Sequence, residues 1–350
     1  MQKRNKKTWL GTELPIIQAP MAGVQDCQLA ISVSNAGGLG SLPCAMLSIE
    51  KMTSEIKHIK ETTSSPYNLN FFCHTMPNYD IEQQTVWQQT LTPYFKELDC
   101  DVDHSPQKAS RLPFSSDIAD AIEPFRPEFV SFHFGLPEKK LVDYIKSWGT
   151  KILSSATTLE EALWLETHGV DGIIAQGLEA GGHRGMFLSD DISTQMGLSA
   201  LLPQIVHSVS VPVIAAGGIS DSKGVEAALL LGAEAVQVGT TYLLCPEATT
   251  TALHCTAIKS SRSQHTALTN VFSGRPARGI VNRVMQELGY MSPLAPTFPY
   301  ASIAMTQLRQ LAEKRDLDAF SPLWCGQNTL GCQDISAADV TLRLAGKSPF

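Results

Sequence analysis

The sequence predicts an α/β protein that folds as a closed (β/α)8 barrel, and three observations lead to that fold. Short apolar or β-branched runs alternate with segments whose apolar residues recur at helical spacing, which is typical of strand–helix units in a parallel sheet. Eight such runs occur along the chain. Glycines and polar residues stand at the ends of these runs, where a barrel carries its active site.

The eight predicted strands leave helix-length segments between them. They cover residues 15–21, 39–43, 67–72, 129–134, 151–156, 172–177, 212–218 and 235–240. In "TTLEEALWLETHGV", Thr157 or Thr158 can cap a helix while Glu160 or Glu161 lies in its first turn. The segments "HGVDGIIAQG" and "LGAEAVQVGT" form a weak repeat of a helix-ending glycine followed by a strand. The repeat suits a barrel, although a doubly wound sheet could share it.

Two long segments have no place in a minimal barrel. They are residues 74–127 and everything after about residue 245. We therefore expect a barrel domain over residues 12–245 that contains the 74–127 insertion. We expect residues 246–350 to form an added C-terminal helical region over the barrel mouth, which closes the active site.

The composition excludes several classes of protein. Of 350 residues, 43% are hydrophobic and 17% are charged, an ordinary globular balance. The net charge is −7, and the bases are scattered apart from the opening "QKRNKK", so we expect no nucleic-acid partner. No run approaches the ~18 apolar residues of a membrane span, so we expect a cytoplasmic protein without a membrane partner.

The eight cysteines show neither a CxxC pair nor the spacing of a zinc site. We expect no metal, and reduced thiols of the kind found in cytosolic proteins.

The stretch "VPVIAAGGISDSKGVEAALLLGAEAVQVGTTYL" carries the most specific physical signal. One strand ends at Gly217 and Gly218, a helix starts near Asp221, and the next strand ends at Gly239 and Thr240. The loops after the seventh and eighth strands are where barrels hold a phosphate on backbone N–H groups. The alternative is that both glycine sites are only tight turns. A dinucleotide loop is less favoured, because no GxGxxG motif follows an early strand.

The stretch "QGLEAGGHRG", residues 176–185, places one histidine behind two glycines after a predicted strand. Near its ordinary pKa of ~6.5, His183 could donate a hydrogen bond when neutral and carry a charge when protonated. A loop histidine is more often merely solvated. Arg184 could hold an anion or could equally be a solvent-facing loop residue.

Ordered motifs along the chain resemble those of a known family. The motifs are "PIIQAPMAGV", "NAGGLGSLPCAM", "YNLNFF", "SFHFGLP", "AQGLEAGGHRG", "PVIAAGGISD", "GAEAVQVGTTYL", "SGRPARGIVNR" and "FSPLWCGQ". From residue 15 to residue 327 they resemble the nitronate monooxygenase family, formerly called 2-nitropropane dioxygenases, and in particular its bacterial class I branch. The resemblance implies an FMN-containing TIM barrel that oxidises alkyl nitronates, notably propionate 3-nitronate, with O2 and without a reduced nicotinamide. It implies small-molecule partners and a monomer or homodimer.

The resemblance also implies roles for individual residues. His183 matches the catalytic histidine, and His133 matches a second active-site histidine, although a hydrogen-bonded core histidine is an alternative for His133. The segment around Tyr300 would close the substrate pocket. The residues implied in flavin binding are Met21 and Ala22 against the isoalloxazine, Asn70 and Gln176 on the flavin, and Gly181, Gly182, Gly217, Gly218, Gln237, Gly239 and Thr240 around the ribityl phosphate. Asn70 could instead simply cap a strand end.

Three other functions remain open at this point. A related FMN barrel that uses NADH or NADPH, such as an enoyl-acyl carrier protein reductase or a quinone reductase, shares the "EAGGH" loop. Inosine monophosphate dehydrogenase shares the phosphate end but needs a "GSxC" loop, which this sequence lacks. The third alternative is a non-catalytic barrel that binds flavin or a phosphorylated metabolite as a sensor.

Overall fold

A computed structural model describes residues 8–102 and 111–347 of the chain. Its strands are β1 (Ile16–Gln18), β2 (Gly40–Pro43), β3 (Tyr67–Phe72), β4 (Phe129–His133), β5 (Lys151–Ala156), β6 (Gly172–Gln176), β7 (Gly182–His183), β8 (Val213–Ala216), β9 (Ala235–Val238), β10 (Thr266–Thr269) and β11 (Ala277–Ile280). Each of the eight predicted strands contains one of the observed strands, and together these form one parallel sheet.

The parallel sheet closes into a barrel. Its strands are hydrogen bonded in the order β1–β9–β8–β6–β5–β4–β3–β2. Its two ends meet at a parallel bridge, where Leu39 donates its N–H to the Ile16 carbonyl at 2.8 Å and accepts from the Gln18 N–H at 2.9 Å. The chain is therefore a (β/α)8 barrel, as the sequence predicts.

The helices divide into a ring around the barrel and a group above it. The ring consists of α1 (Cys27–Asn35), α2 (Ile49–Thr62), α4 (Ser116–Ile122), α5 (Lys139–Ser147), α6 (Leu159–Thr167), α7 (Leu198–Ser208), α8 (Ser222–Leu230) and α12 (Ala337–Leu344). The other helices are α3 (Ile81–Glu97), α9 (Ala252–Lys259), α10 (Arg283–Glu287) and α11 (Ser302–Glu313).

Side-chain caps start several of the ring helices where the sequence predicts a start. The Thr158 hydroxyl accepts from the Glu161 N–H at 3.2 Å and begins α6. The Asp221 carboxylate accepts from the Gly224 N–H at 2.8 Å and begins α8. Each cap satisfies a helix N–H that has no partner within its own helix.

The ring of helices is completed by the end of the chain. Helix α12 packs against α1 and α8 and buries Val340 and Leu344 in the main core between strands and helices. The Thr341 hydroxyl also lies 2.9 Å from the phenol oxygen of Tyr242, which follows β9. Part of the segment after residue 245 thus packs on the barrel itself.

The remaining C-terminal elements and the insertion share a second hydrophobic core. Helix α3 of the insertion packs on α11, and the buried Trp87 donates its indole N–H to the Ala301 carbonyl at 3.2 Å. The predicted helical region also contains β10 and β11, which form an antiparallel sheet with β7. The domain limits at residues 245 and 246 stay a prediction.

Two further sequence expectations concern membrane-spanning helices and the cysteines. None of the helices in the described ranges combines the length and apolarity that a membrane crossing requires. All eight cysteines are free thiols, and four of them are buried: Cys27, Cys44, Cys245 and Cys325.

Replacing Gly40 by alanine should disrupt the contact between β2 and α1. An added Cβ would lie 2.0 Å from the Ala30 carbonyl oxygen, a backbone atom that cannot move independently. We expect Gly40→Ala to lower the free energy of unfolding by about 3 kcal/mol or more, which chemical denaturation measures.

Gly224→Ala is the matched control, because its Cβ would make only ordinary contacts within α8. This control should be neutral or should stabilise by about 0.5–1 kcal/mol. If Gly40→Ala and Gly224→Ala changed the free energy of unfolding equally, the close approach of β2 and α1 at Gly40 would be contradicted.

Candidate active site

A cavity opens at the carboxyl ends of the barrel strands, under the C-terminal elements. Every site residue that the sequence predicts lines this cavity: Met21, Ala22, Asn70, His133, Gln176, Gly181, Gly182, His183, Gly217, Gly218, Gln237, Gly239 and Thr240. The structure thus brings together residues that are spread over 220 positions of sequence, from 21 to 240. Their chemical roles are proposals, which are taken up below.

His183 lies on β7 and is held against the cavity from several sides. Strand β7 pairs with β11, where His183 faces Ala277. The Nε2 atom of His183 lies 2.9 Å from the Ser273 hydroxyl oxygen. Burial, followed by the charge of Arg111, lowers the pKa of His183 well below its ordinary value. The imidazole is therefore neutral at physiological pH and presents a hydrogen-bonding group without a charge of its own.

His133, at the end of β4, supports the backbone of His183. Its Nε2 lies 3.0 Å from the His183 carbonyl oxygen, and its Nδ1 lies 3.1 Å from the Ser155 hydroxyl. Because a carbonyl can only accept, the proton sits on Nε2 and Ser155 donates to Nδ1. Burial lowers the pKa of His133 to about 4, so this arrangement persists at neutral pH.

Gln176 ends β6 and fixes the same loop through both ends of its amide. Its Nε2 donates to the His183 carbonyl at 3.0 Å, and its Oε1 accepts from the Gly185 N–H at 2.8 Å. The resemblance assigned this residue to the flavin ring. In the structure its amide also sets the position of the histidine, a function that the sequence did not predict.

Arg184 is neither an anion clamp in the cavity nor a solvent-facing residue, so both sequence interpretations of it are wrong. Its side chain is completely buried. The guanidinium donates to the Gln176 carbonyl at 2.8 Å, to the Gly177 carbonyl at 2.7 Å and to Gln195 Oε1 at 2.9 Å. Burial lowers its pKa to about 10, so it stays charged at neutral pH.

A second buried arginine continues this pattern from the C-terminal hairpin. Arg278 on β11 donates from Nε to the Leu178 carbonyl at 2.9 Å. The nearby Glu179 carboxylate opposes the lowering of the pKa that burial causes in both arginines. Glu179 itself accepts from the Leu198 N–H at the start of α7. Three successive carbonyls after β6 are therefore bound by two buried cations.

The glycines after β8 and β9 form the opposite end of the cavity. Gly217 and Gly218 adopt φ values of +123° and +70°, which residues with a Cβ rarely adopt. The Asn328 amide donates to the Gly218 carbonyl at 2.9 Å. The Gly326 N–H donates to the Thr240 hydroxyl at 2.9 Å, so the "FSPLWCGQ" segment packs onto both turns.

The wall after β1 and β3 is formed by the remaining predicted residues. Met21 and Ala22 are half-buried, and the Met21 N–H donates to Gln25 Oε1 at 2.8 Å. The Asn70 amide nitrogen donates to the Ser131 hydroxyl at 2.9 Å, which orients the amide at the end of β3. Asn70 is therefore tied to the neighbouring strand β4.

Several lining residues were not predicted as site residues. They are Phe72, Arg111, Ser155, His254, Trp324, Gly326 and Asn328, among others. Trp324 and Gly326 belong to the "FSPLWCGQ" motif, and Asn328 directly follows it. This motif could therefore have indicated these three residues as part of the site. Tyr300 is not among the lining residues; its hydroxyl donates to the Pro77 carbonyl at 3.0 Å and ties the C-terminal segment to the insertion. Phe298 instead contacts His183, with ring centroids 5.5 Å apart.

Replacing Arg184 by methionine should destabilise the fold, because the Gln176 carbonyl and Gln195 Oε1 lose this donor while the Gly177 carbonyl keeps only the Ala180 N–H. Each unpaired buried acceptor costs about 1–3 kcal/mol, so we expect the free energy of unfolding to fall by about 2 kcal/mol or more. Arg184→Lys should recover only part of this loss, since lysine lacks the planar fork. Denaturant unfolding would measure both values. Arg126→Met, which removes an exposed arginine paired with Glu123, is the control and should change stability by less than about 1 kcal/mol.

The comparisons with known proteins agree with this geometry. The sequence profile of the family described as nitronate monooxygenase matches residues 3–345. A nitronate monooxygenase from Pseudomonas aeruginosa is 39% identical over 95% of each chain. The crystal structure of a nitroalkane oxidase from Streptomyces ansochromogenes superposes with a TM-score of 0.87, at 35% identity over 96% of each chain. FabK from Thermotoga maritima, at 24% identity, 97% and 93% coverage and a TM-score of 0.70, shares the fold. The chain belongs to the nitronate monooxygenase family and is an oxidoreductase.

Proposed function

We propose that this protein is an FMN-dependent nitronate monooxygenase, which oxidises alkyl nitronates with O2 to an aldehyde or oxo acid plus nitrite or nitrate. One observation carries the proposal beyond family membership. A neutral histidine is fixed beside a cavity whose described lining contains an arginine and three histidines but neither aspartate nor glutamate. Such a cavity favours an anion, and a nitronate is an anion delocalised over carbon and two oxygens.

The residues present fit FMN. Gln237 Oε1 is buried in the cavity wall without a hydrogen-bond partner among the described residues, so it suits a hydroxyl donor such as those of a ribityl chain. Cβ atoms at Gly217 and Gly218 would contact the loop that contains Glu179 and Ala180 at 3.2 Å. The two glycine turns at the ends of the seventh and eighth barrel strands match the usual phosphate position of such barrels.

In this proposal the flavin residues keep the roles that the resemblance implies. Gly181, Gly182, Gly217, Gly218, Gly239 and Thr240 would surround the phosphate and ribityl chain with Gln237, while Met21, Ala22, Asn70 and Gln176 would lie at the ring. When bound, FMN supplies the redox chemistry, accepting an electron from the nitronate and making it available to O2. The protein supplies position and electrostatics.

His183 is the residue that we propose contacts the nitronate. Its N–H can turn from the Ser273 hydroxyl to an oxygen of the substrate, which stabilises the anion by a charge-assisted hydrogen bond. Because His183 is neutral, the same imidazole can accept an α-proton when the substrate is a neutral nitroalkane. His133 contributes by fixing the His183 carbonyl and hence the direction of the ring.

The Phe-flanked His133 and the "FSPLWCGQ" segment favour the nitronate chemistry over an NAD(P)H-dependent reductase. Phe72 and Phe134 pack with their ring centroids 6.1 and 4.6 Å from that of His133. Trp324 of the "FSPLWCGQ" segment packs 5.5 Å from His183 by the same measure. These rings surround the two histidines with apolar surface. The glycine turns after β8 and β9 lie at the opposite end of the cavity.

The purified protein should be yellow and should consume O2 when propionate 3-nitronate is added, without any nicotinamide. Anaerobic addition of NADPH or NADH should leave the flavin absorbance unchanged. Rapid bleaching by either nucleotide would favour the reductase alternative. A yellow protein that consumes no O2 with any alkyl nitronate would favour the sensor alternative.

Replacing His183 by asparagine should leave FMN bound and reduce turnover of propionate 3-nitronate by about 100-fold or more, because the proton-carrying ring that meets the substrate is lost. Oxygen uptake and the flavin-to-protein ratio measure the two effects separately. His168→Asn is the control, because His168 is exposed and stacks on Trp164 at a ring distance of 3.7 Å, away from the cavity. Unchanged turnover in His183→Asn would remove this residue from the mechanism.

A further inference from the structure

Arg111 is a cation in the cavity wall that the mechanism so far does not use. It lies within the 74–127 insertion, between α3 and α4, and it lines the same cavity as His183. Its Nη1 atom is buried without a hydrogen-bond partner among the described residues. Buried guanidinium N–H groups are normally paired, so an unpaired one in a ligand cavity indicates a missing acceptor.

In the described part of the chain, no acidic side chain contributes to the pKa of Arg111. Burial lowers that pKa, and the charge of another cation, Arg309, lowers it further. Its own charge in turn lowers the pKa values of His74 and His183. Among the described residues lining the cavity there is neither aspartate nor glutamate. A bound anion would both complete the hydrogen bonding of Arg111 and offset its desolvation.

The cation Arg111 and the neutral donor His183 come from different parts of the chain. His183 lies on β7, and its ring is fixed by Ser273 and by the loop after β6. Arg111 lies within the insertion, just before α4. A ligand with two anionic ends would satisfy both groups, because a nitronate can accept from His183 and an arginine fork matches the two oxygens of a carboxylate.

We propose that Arg111 binds the carboxylate of the substrate and thereby selects short nitronates that carry a carboxylate at the other end. This inference rests on the proposed function, because it assigns the nitronate end to His183. It makes Arg111 a residue that determines specificity. Removing the Arg111 side chain should weaken the binding of substrates that carry a carboxylate. The binding of substrates without one should stay nearly unchanged.

Matched substrates test this assignment. Propionate 3-nitronate and propyl-1-nitronate both have three carbons, and only the first carries a carboxylate. For Arg111→Met we expect kcat/KM, measured by oxygen uptake, to fall about 10- to 100-fold with propionate 3-nitronate, mainly through KM. The value for propyl-1-nitronate should change far less. Arg111→Lys, which keeps the charge but not the fork, should lie between the wild type and Arg111→Met.

A binding measurement makes the result independent of turnover. Calorimetric titration of the flavin-loaded protein with 3-nitropropionate and with 1-nitropropane should show the same selective loss in Arg111→Met. Arg126→Met, an exposed arginine variant, should match the wild type with all four compounds. Flavin content and thermal midpoint verify folding, and Arg111→Lys decides the question if Arg111→Met does not fold.

The outcomes separate the two proposals. Equal losses with both members of each pair, or no loss with either, would overturn the assignment of Arg111. A wild-type enzyme that oxidises neither nitronate would contradict the proposed function, and the titrations would then decide the role of Arg111 alone.

Discussion

The active site depends on two buried guanidinium groups that bind the backbone where β6 ends. Arg184 binds the carbonyls of Gln176 and Gly177, and Arg278 binds the carbonyl of Leu178. These carbonyls lie where the chain leaves the barrel sheet at the end of β6, and the arginines supply donors to them there. The two cations allow the chain to leave the barrel and turn back across its mouth. At the turn Gly182 adopts a φ of +73° and presents His183 to the cavity.

This arrangement couples the site to both hydrophobic cores. Arg278 belongs to β11, whose hairpin pairs with β7 and so carries His183 as part of a three-stranded sheet. The same region packs on α3 of the insertion through the second core, which includes Trp87 and Phe272. The loop that carries His183 therefore acquires its shape only when segments separated by about a hundred residues have come together. The cost of that arrangement is the burial of two charges, which Glu161 and Glu179 partly offset.

Local patterns predicted the barrel, and the family resemblance supplied the residues that line the cavity. The eight strands were readable because each is a short apolar run bounded by turn residues, and the caps Thr158 and Asp221 satisfy nearby backbone groups. The thirteen predicted site residues meet because parallel strands deliver their carboxyl ends to one rim. Arg184 could not be interpreted in this way, because its burial depends on tertiary packing that the "GGHRG" motif does not contain. The strands β10 and β11 were not predicted because "TALT" and "ARGI" lack the continuous apolar run that marks the barrel strands.

The barrel itself does not determine the chemistry, because one fold can carry many unrelated functions. What distinguishes a site is the charge that its walls leave uncompensated. Here the pKa values of His74, His133 and His254 are lowered to about 4 by burial, and that of His183 is lowered well below its ordinary value by burial and then by the charge of Arg111. These four histidines are therefore neutral in the cavity region, and the arginines retain the positive charge. An anion that enters meets neutral donors and a fixed cation without having to displace a protein carboxylate from the described lining. The proposed selectivity for an anionic substrate would thus follow from the placement of acidic residues elsewhere, at Glu161 and Glu179, where they bind backbone N–H groups outside the described cavity lining.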